Sequence, residues 1–217
     1  MNEALFFMHV AVVMGCVLGT LRLGREALMI WVSIQSILAN LFVIKQISFI
    51  GFEVTCSDVF AIGSLLGLNL LQEHFGQASA KKATLYCFFT MLFFAAMAQI
   101  HLLYQPSIHD TTQGAFAQLL GPNPRLIIAS LAVFFLIQQL DIRFFGALKK
   151  WAPKLPRNLI SLFLSQFLDT VLFSFLGLYG IVSSIFDIIF ISFLIKCLVI
   201  LCSTPFMAFS KRFVKTV

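Results

Sequence analysis

The 25 residues from Ile185 to Phe209 read IFDIIFISFLIKCLVILCSTPFMAF. At a rise of about 1.5 Å per residue, a helix of this length reaches across the roughly 30 Å of hydrocarbon in a bilayer. Lys196 stands near its middle, where a charge costs roughly 2.5–3.5 kcal/mol on insertion scales. The stretch therefore reads as a membrane span that carries a functional charge. Six more stretches qualify or nearly qualify: Leu5 to Leu21, Ala27 to Gln46, Ser57 to His74, Thr84 to Leu103, Leu126 to Leu148 and Asn158 to Tyr179. The expected fold is an all-α integral membrane bundle of about seven transmembrane helices. Composition agrees. The 217 residues are 60% hydrophobic and 11% charged, with 26 Phe, whereas soluble domains average about 45–50% apolar and about 25% charged. A soluble enzyme domain, a disordered chain and a nucleic-acid binder are all excluded, the last despite a net charge of +6.

The third span is the most polar. It carries Asp58, Ser64, Asn69, Gln72 and Glu73 together with Gly63 and Gly67. Such a segment cannot face lipid all round and must be packed inside the bundle or line a cavity. Ser57 suits a helix N-cap and Gly76 a helix stop. Pro122 and Pro124 mark the approach to the fifth span, and Pro153 and Pro156 break the chain before the sixth. Ile47 to Cys56, around Gly51, reads as a small surface hairpin, and Ala115 to Leu120 as a short surface helix. The start Met1-Asn2-Glu3 lacks the positive n-region of a cleaved signal peptide, so the first stretch reads as a retained membrane helix. The five Cys include no C-x-x-C pair and the four His are scattered. Neither a disulfide framework nor a metal site is expected, and no cofactor.

The basic residues set an orientation. Eleven of the 15 Lys and Arg fall after the first, third, fifth and seventh spans, among them Arg22, Arg25, Lys81, Lys82, Lys149, Lys150 and Arg157. The opposite side has only Lys45 and Arg125, and Arg143 and Lys196 lie within spans. Cytoplasmic loops carry the excess of positive charge, so the N-terminus is expected outside and the C-terminus in the cytoplasm.

Helical periodicity groups the remaining polar residues. Ser161, Ser165 and Asp169 are four apart and share a face, flanked by Gln166 and Thr170. Ser130, Gln138 and Asp141 fall on one side of the fifth span, and Asn69, Gln72 and Glu73 form a polar inner third of the third span. Asp169 and Lys196 come to similar depths on adjacent antiparallel helices, so a buried Asp169–Lys196 pair is expected. Ser, Thr and Gln taken singly serve as packing glue between membrane helices, and Arg125 reads equally as an interfacial anchor. The chain contains no G-x-x-x-x-G-K-[ST], H-E-x-x-H or G-x-S-x-G pattern. The residues favour a transporter of a small polar solute over an enzyme.

At these residues the chain resembles the queuosine precursor transporters, a group of vitamin-uptake-like transporters. The likeness rests on Asn69-Leu70-Leu71-Gln72-Glu73-His74-Phe75-Gly76; on Arg125, Ser130, Gln138 and Asp141; on Ser161, Ser165, Gln166 and Asp169-Thr170; and on Lys196 followed by Pro205. It covers about Gln35 to Ser210. Asn69 departs from members that carry Asp there, and residues 1–25 look like an N-terminal helix added to a six-helix core formed by residues 26–217. The resemblance implies a multi-pass protein of the bacterial inner membrane. It would import 7-cyano-7-deazaguanine, 7-aminomethyl-7-deazaguanine or queuine for tRNA modification. Its partners would be that nucleobase and the lipid bilayer, with no nucleic acid; association into homo-oligomers stays open. Asn40, Asn69, Gln72, Glu73, Arg125, Ser130, Gln138, Asp141, Ser165, Gln166, Asp169 and Lys196 are the expected substrate-binding residues. Amide and carboxylate groups suit the donor and acceptor edge of a purine-like base, and Phe rings suit its π-face. Lys196 would set the charge state of Asp169, and Asp169 or Glu73 could carry a coupling proton.

One rival reading is a substrate-capture subunit that docks on a separate ATPase to import a vitamin or nucleobase. Membrane-enzyme and purely structural readings account less well for charges at the midplane. The orientation has a direct check. A phosphatase fused after Asp110 should be active in cells and one fused after Trp151 inactive; the opposite pair of activities would invert the topology.

Overall fold

The computed structural model describes residues 1–43, 45–55, 57–121, 124–180 and 185–213; Cys56 and Pro122 lie outside them, as do the side chains of Arg125 and Asp187. The elements run α1 (Asn2–Leu23), α2 (Arg25–Leu41), β1 (Gln46–Phe49), β2 (Phe52–Thr55), α3 (Ser57–Phe75), α4 (Gln77–Leu102), α5 (Gln113–Leu120), α6 (Pro124–Leu148), α7 (Lys154–Phe173) and α8 (Ile185–Phe209). A π-helical turn, Ser174–Leu178, continues α7. Among the described residues seven long helices overlap the seven expected stretches, and the fold is an all-α membrane bundle. Five of them, in α1, α4, α6, α7 and α8, are long and apolar enough to cross a bilayer by length and composition alone.

The limits of the helices follow local chemistry. Gly24 and Gly76 take φ of 116° and 85°, the left-handed side that favours glycine, and each joins two long helices through a single residue. Short connections make neighbouring helices antiparallel. The second helix stops at Leu41, before the expected Gln46, and the chain turns into the β1–β2 hairpin, whose pairs run from Gln46 with Thr55 to Phe49 with Phe52. The hairpin is tied to the start of α1. Asn2 donates to the Ser48 carbonyl oxygen at 2.8 Å, and the rings of Phe6 and Phe49 meet at 4.6 Å. The chain is interrupted at Pro153 before α7, as expected, but Pro156 does not break the helix. Pro156 sits in the first turn, where the missing N–H would have had no intrahelical partner. The end of the bundle with the hairpin and α5 is called the hairpin end here, and the opposite end, with Lys81, Lys82, Lys149 and Lys150, the basic end.

The polar helix α3 is the axis of the bundle. It touches all six other long helices, and 14 of its 19 residues are buried. Two glycines make this possible. A Cβ on Gly67 would lie 2.5 Å from Val32 Cγ2, and one on Gly63 would lie 2.8 Å from Val13 Cγ1 and closer still to the Gln35 side chain. Small residues four apart let membrane helices approach backbone to side chain, where dispersion replaces the hydrophobic effect that lipid cannot supply. Val32 is β-branched and held to one rotamer in a helix, so it cannot swing away. On the opposite, lipid-facing surface lie rings such as Phe89, Phe93, Phe186 and Phe190, all well exposed.

Gly67→Ala should destabilise the protein by about 1–2 kcal/mol, because overpacking of about 1–3 kcal/mol outweighs the better helix propensity of Ala. Gly15→Ala, with nothing within 4 Å of the added carbon, should be neutral or stabilising. Unfolding of the two purified variants in detergent checks the difference.

Candidate functional site

A cavity of about 600 Å³ opens in the hairpin-end half of the bundle, between α2, α3, α4, α6, α7 and α8. The helices that build it contribute their hairpin-end halves: Ser36 to Leu41 of α2, with Val43 just beyond it, Ser57 to Leu65 of α3, Met91 to Gln99 of α4, Ser130 to Gln138 of α6, and Gln166 to Phe173 of α7. The π-helical turn adds Ser174 and Leu178. Such a turn widens the helix locally and is a frequent mark of functional sites. Phe94, Phe134 and Phe173 supply rings to walls that are otherwise largely aliphatic. Pockets of about 300–1,000 Å³ with a few convergent polar groups are the usual form of a small-molecule site.

Charge is concentrated at one wall. Lys196 Nζ donates to Asp169 Oδ2 at 2.6 Å and lies 3.9 Å from Asp58 Oδ1. The expected Asp169–Lys196 pair is present, and α3 adds a second carboxylate to it. The side chain of Asp169 keeps 26% of its surface exposed, against 7% for Lys196 and 10% for Asp58. The cation is therefore enclosed while one carboxylate edge still faces the cavity. Two acids around one ammonium leave the group with an excess of negative charge when all three are ionised. Across the cavity Ser130 donates to Asn40 Oδ1, while Asn40 Nδ2 reaches the Ser36 carbonyl oxygen at 3.0 Å. Gln138 and Gln166 are buried at the floor. Both polar atoms of Gln138 and the Gln166 Oε1 have no hydrogen-bond partner among the described residues. A buried amide without partners costs about 1–3 kcal/mol per group, so it is poised to accept a polar ligand.

Beneath the floor, toward the basic end, lies a second polar zone in the seam of α3, α6 and α7. Ser161 and Ser165 both donate to Asp141 Oδ1, at 2.6 and 2.7 Å. Gln72 Nε2 donates to the Ile142 carbonyl oxygen at 3.0 Å. Glu73 and Arg157 form an ion pair, and the Arg157 guanidinium stacks 4.8 Å from the centre of the Phe145 ring. Asn69, Asn158 and Asp141 are completely buried.

The structure therefore divides the expected residues into two groups. Asn40, Ser130, Gln138, Gln166, Asp169 and Lys196 line the cavity. Asn69, Gln72, Glu73, Asp141 and Ser165 lie in the seam below, away from its walls. Arg125 sits in the first turn of α6, and its side chain falls outside the described residues. Two participants escape the sequence reading. Asp58 is legible only as one polar residue of the third span, although an acid in the first turn of a buried helix is itself a signal. Arg157 counts there as one more interfacial cation, yet it is buried against Glu73. Among the described residues no three His, Cys, Asp or Glu side chains converge in a way that could hold a metal ion.

Comparison with known proteins agrees with this architecture. The sequence model of the family described as "Putative vitamin uptake transporter" matches residues 55–210, from the end of the hairpin to the end of α8. A "Probable queuosine precursor transporter" of Bacillus subtilis (strain 168) is 32% identical over 199 residues, a match spanning 88% of this chain and 86% of that protein. No solved structure matches the chain. The matched segment contains α3, α6, α7 and α8, hence both the charged wall and the polar seam. On these grounds the chain belongs to the putative vitamin uptake transporter family, and it is a multi-pass membrane transporter rather than an enzyme.

Proposed function

We propose that this transporter imports a queuosine precursor of the 7-deazaguanine class across the bacterial inner membrane, with its N-terminus outside and its C-terminus in the cytoplasm. The candidates are 7-cyano-7-deazaguanine, 7-aminomethyl-7-deazaguanine and queuine, taken up for tRNA modification. The observation that carries the reading is the cavity wall where Asp169, paired with Lys196, offers a carboxylate edge, together with a floor where the Gln138 amide and the Gln166 Oε1 have no hydrogen-bond partner among the described residues. The Bacillus subtilis relative, described as a probable queuosine precursor transporter, supports the same class of solute.

The chemistry fits a guanine-like base. Its ring N–H and exocyclic amine are adjacent donors, matched by the two oxygens of a carboxylate such as Asp169. Its carbonyl oxygen needs a donor, which the Gln138 amide supplies, while the Gln166 Oε1 can accept from the pyrrole-like N–H. Asn40 and Ser130 add polar contacts on the far side, and the rings of Phe94, Phe134 and Phe173 give flat surfaces for the bicyclic face. A site built to bond every polar edge of its solute rejects analogues that leave those groups unpaired. In this reading the seam residues Asn69, Gln72, Glu73, Asp141 and Ser165 meet the solute on its way toward the basic end, and Arg125 guards the opening at the hairpin end. The helix α1, packed on α2, α3 and α8, is the addition to the six-helix core and serves as a brace.

Uptake of radiolabelled queuine and its two bacterial precursors should be tested in cells lacking their own carrier, and in vesicles holding the purified protein. Uptake of at least one by both systems is expected. Binding without transport by the purified protein would instead favour a capture subunit for an ATPase-driven importer, and no uptake of any of the three would reject the solute class. Asp169→Asn should weaken uptake about 10- to 100-fold, the loss of a hydrogen bond to a charged group worth about 1.5–3 kcal/mol. An unchanged half-saturating concentration and maximal rate in that variant would remove Asp169 from the site.

A further inference from the structure

The cavity accounts for Asp169, but it leaves a second carboxylate unexplained. Asp141 is completely buried. Its Oδ1 accepts the Ser161 and Ser165 hydroxyls, and its Oδ2 has no hydrogen-bond partner among the described residues. No basic group lies within salt-bridge distance of it among those residues. Arg157 is held by Glu73, and Lys196 by Asp169 and Asp58. Arg143, two residues along α6, turns about 200° away and is exposed. A carboxylate taken out of water without a countercharge is costly even with two hydroxyl donors, so it calls for a proton or a cation.

The surroundings distinguish the two. On α3, Gln72 reaches α6 and Glu73 reaches α7. At about 100° per residue, Asn69 points between them, about 60° from one and about 40° from the other, into the seam that holds Asp141. It is fully buried, and neither its Oδ1 nor its Nδ2 has a partner among the described residues. Asn158 is on the same α7 face as Ser161, one turn further toward the basic end, and its amide is likewise unpartnered and buried. Gln138, one turn from Asp141 on the same side of α6, completes the set. Six polar side chains from three helices are therefore buried along one seam, with a single carboxylate among them. A proton would occupy one carboxylate oxygen and engage none of the unpartnered amide oxygens. A cation uses them together, and hard oxygens select a hard ion. One carboxylate balances one positive charge, whereas a divalent ion would leave a net charge in oil.

We propose that Asp141, Ser161, Ser165, Asn69, Asn158 and Gln138 form a sodium site directly beneath the solute cavity. Gln138 belongs to both compartments, lining the cavity floor and standing one turn above Asp141. Ion binding below would fix the orientation of that amide and so prepare the floor for the solute. The sodium gradient then becomes a source of energy for uptake. The site is argued from the seam and from Gln138 at its upper edge, and holds whatever small solute the cavity carries.

The test needs no solute. Thermal unfolding of the purified full chain should be followed in NaCl, KCl and choline chloride at equal ionic strength and fixed pH. A ligand that binds only the folded state raises the midpoint with concentration. A saturable rise of several degrees in NaCl, absent in choline chloride, is expected. Asp141→Asn should abolish the rise. Ser161→Ala, a second variant should the first fail to fold, should raise the half-saturating NaCl concentration about tenfold. Equal midpoints in NaCl and choline chloride would overturn the proposal, as would a sodium response that survives in Asp141→Asn. Stabilisation by acid but not by sodium would assign Asp141 to a proton instead. Because solute uptake is measured separately, failure here leaves the solute class untouched, and failure there leaves this site standing.

Discussion

A charge in hydrocarbon must find its complement, and that constraint organises this protein. Lys196 lies in the middle of the most apolar stretch of the chain, so its ammonium must be met by acids from other helices. It draws Asp169 of α7 and Asp58 of α3 to itself, and in doing so fixes how α3, α7 and α8 stand relative to one another. Removing one partner of such a pair costs about 3–5 kcal/mol, because the other is left buried and alone. The same arrangement leaves an edge of Asp169 open to the cavity. The group that holds three helices in register is thus also the charged group exposed to the cavity.

The central position of α3 follows from two features that reinforce each other. Its acids and amides exclude it from lipid, and its glycines let α1 and α2 close over it. A helix with the same polar residues but larger side chains at Gly63 and Gly67 could not be enclosed. Burial of α3 then divides the bundle along its length. Near the hairpin end the surrounding helices stand apart and leave the cavity. Toward the basic end they converge, and Asp141 with Ser161 and Ser165, and Glu73 with Arg157, bond to one another rather than to solvent. The Glu73–Arg157 pair closes that end and is backed by Phe145.

Such a two-storey interior suits alternating access. Many transporters hold solute and coupling ion near the midplane and rock one group of helices against another. The open storey in this structure is at the hairpin end and the sealed storey at the basic end. Moving the solute through requires the seam to part, and the seam is made of groups that can exchange partners: one ion pair, two hydroxyl–carboxylate bonds and several amides. A seam of interlocked aliphatic side chains would separate at much greater cost, since no polar ligand could replace the contacts it lost.

Much of this was legible in the sequence. Length and hydropathy are properties of a contiguous stretch, so the seven helices, the hairpin, the short α5 and the polar character of α3 follow from local reading. Depth along each span is also one-dimensional, which is why the Asp169–Lys196 pair could be inferred from counting residues. Rotation and adjacency were decided only by the tertiary structure. In a soluble helix an apolar stripe reveals which face turns inward. Here α8 presents apolar residues both to lipid, as Phe186, Phe190 and Leu201, and to the core, as Ile195, Val199 and Ile200. Lipid and interior make the same demand, so the pattern carries no facing signal. The packing of the helices in three dimensions therefore decided that Asp58 would join Lys196, that Arg157 would turn inward to Glu73, and that the polar residues would separate into a cavity and a seam.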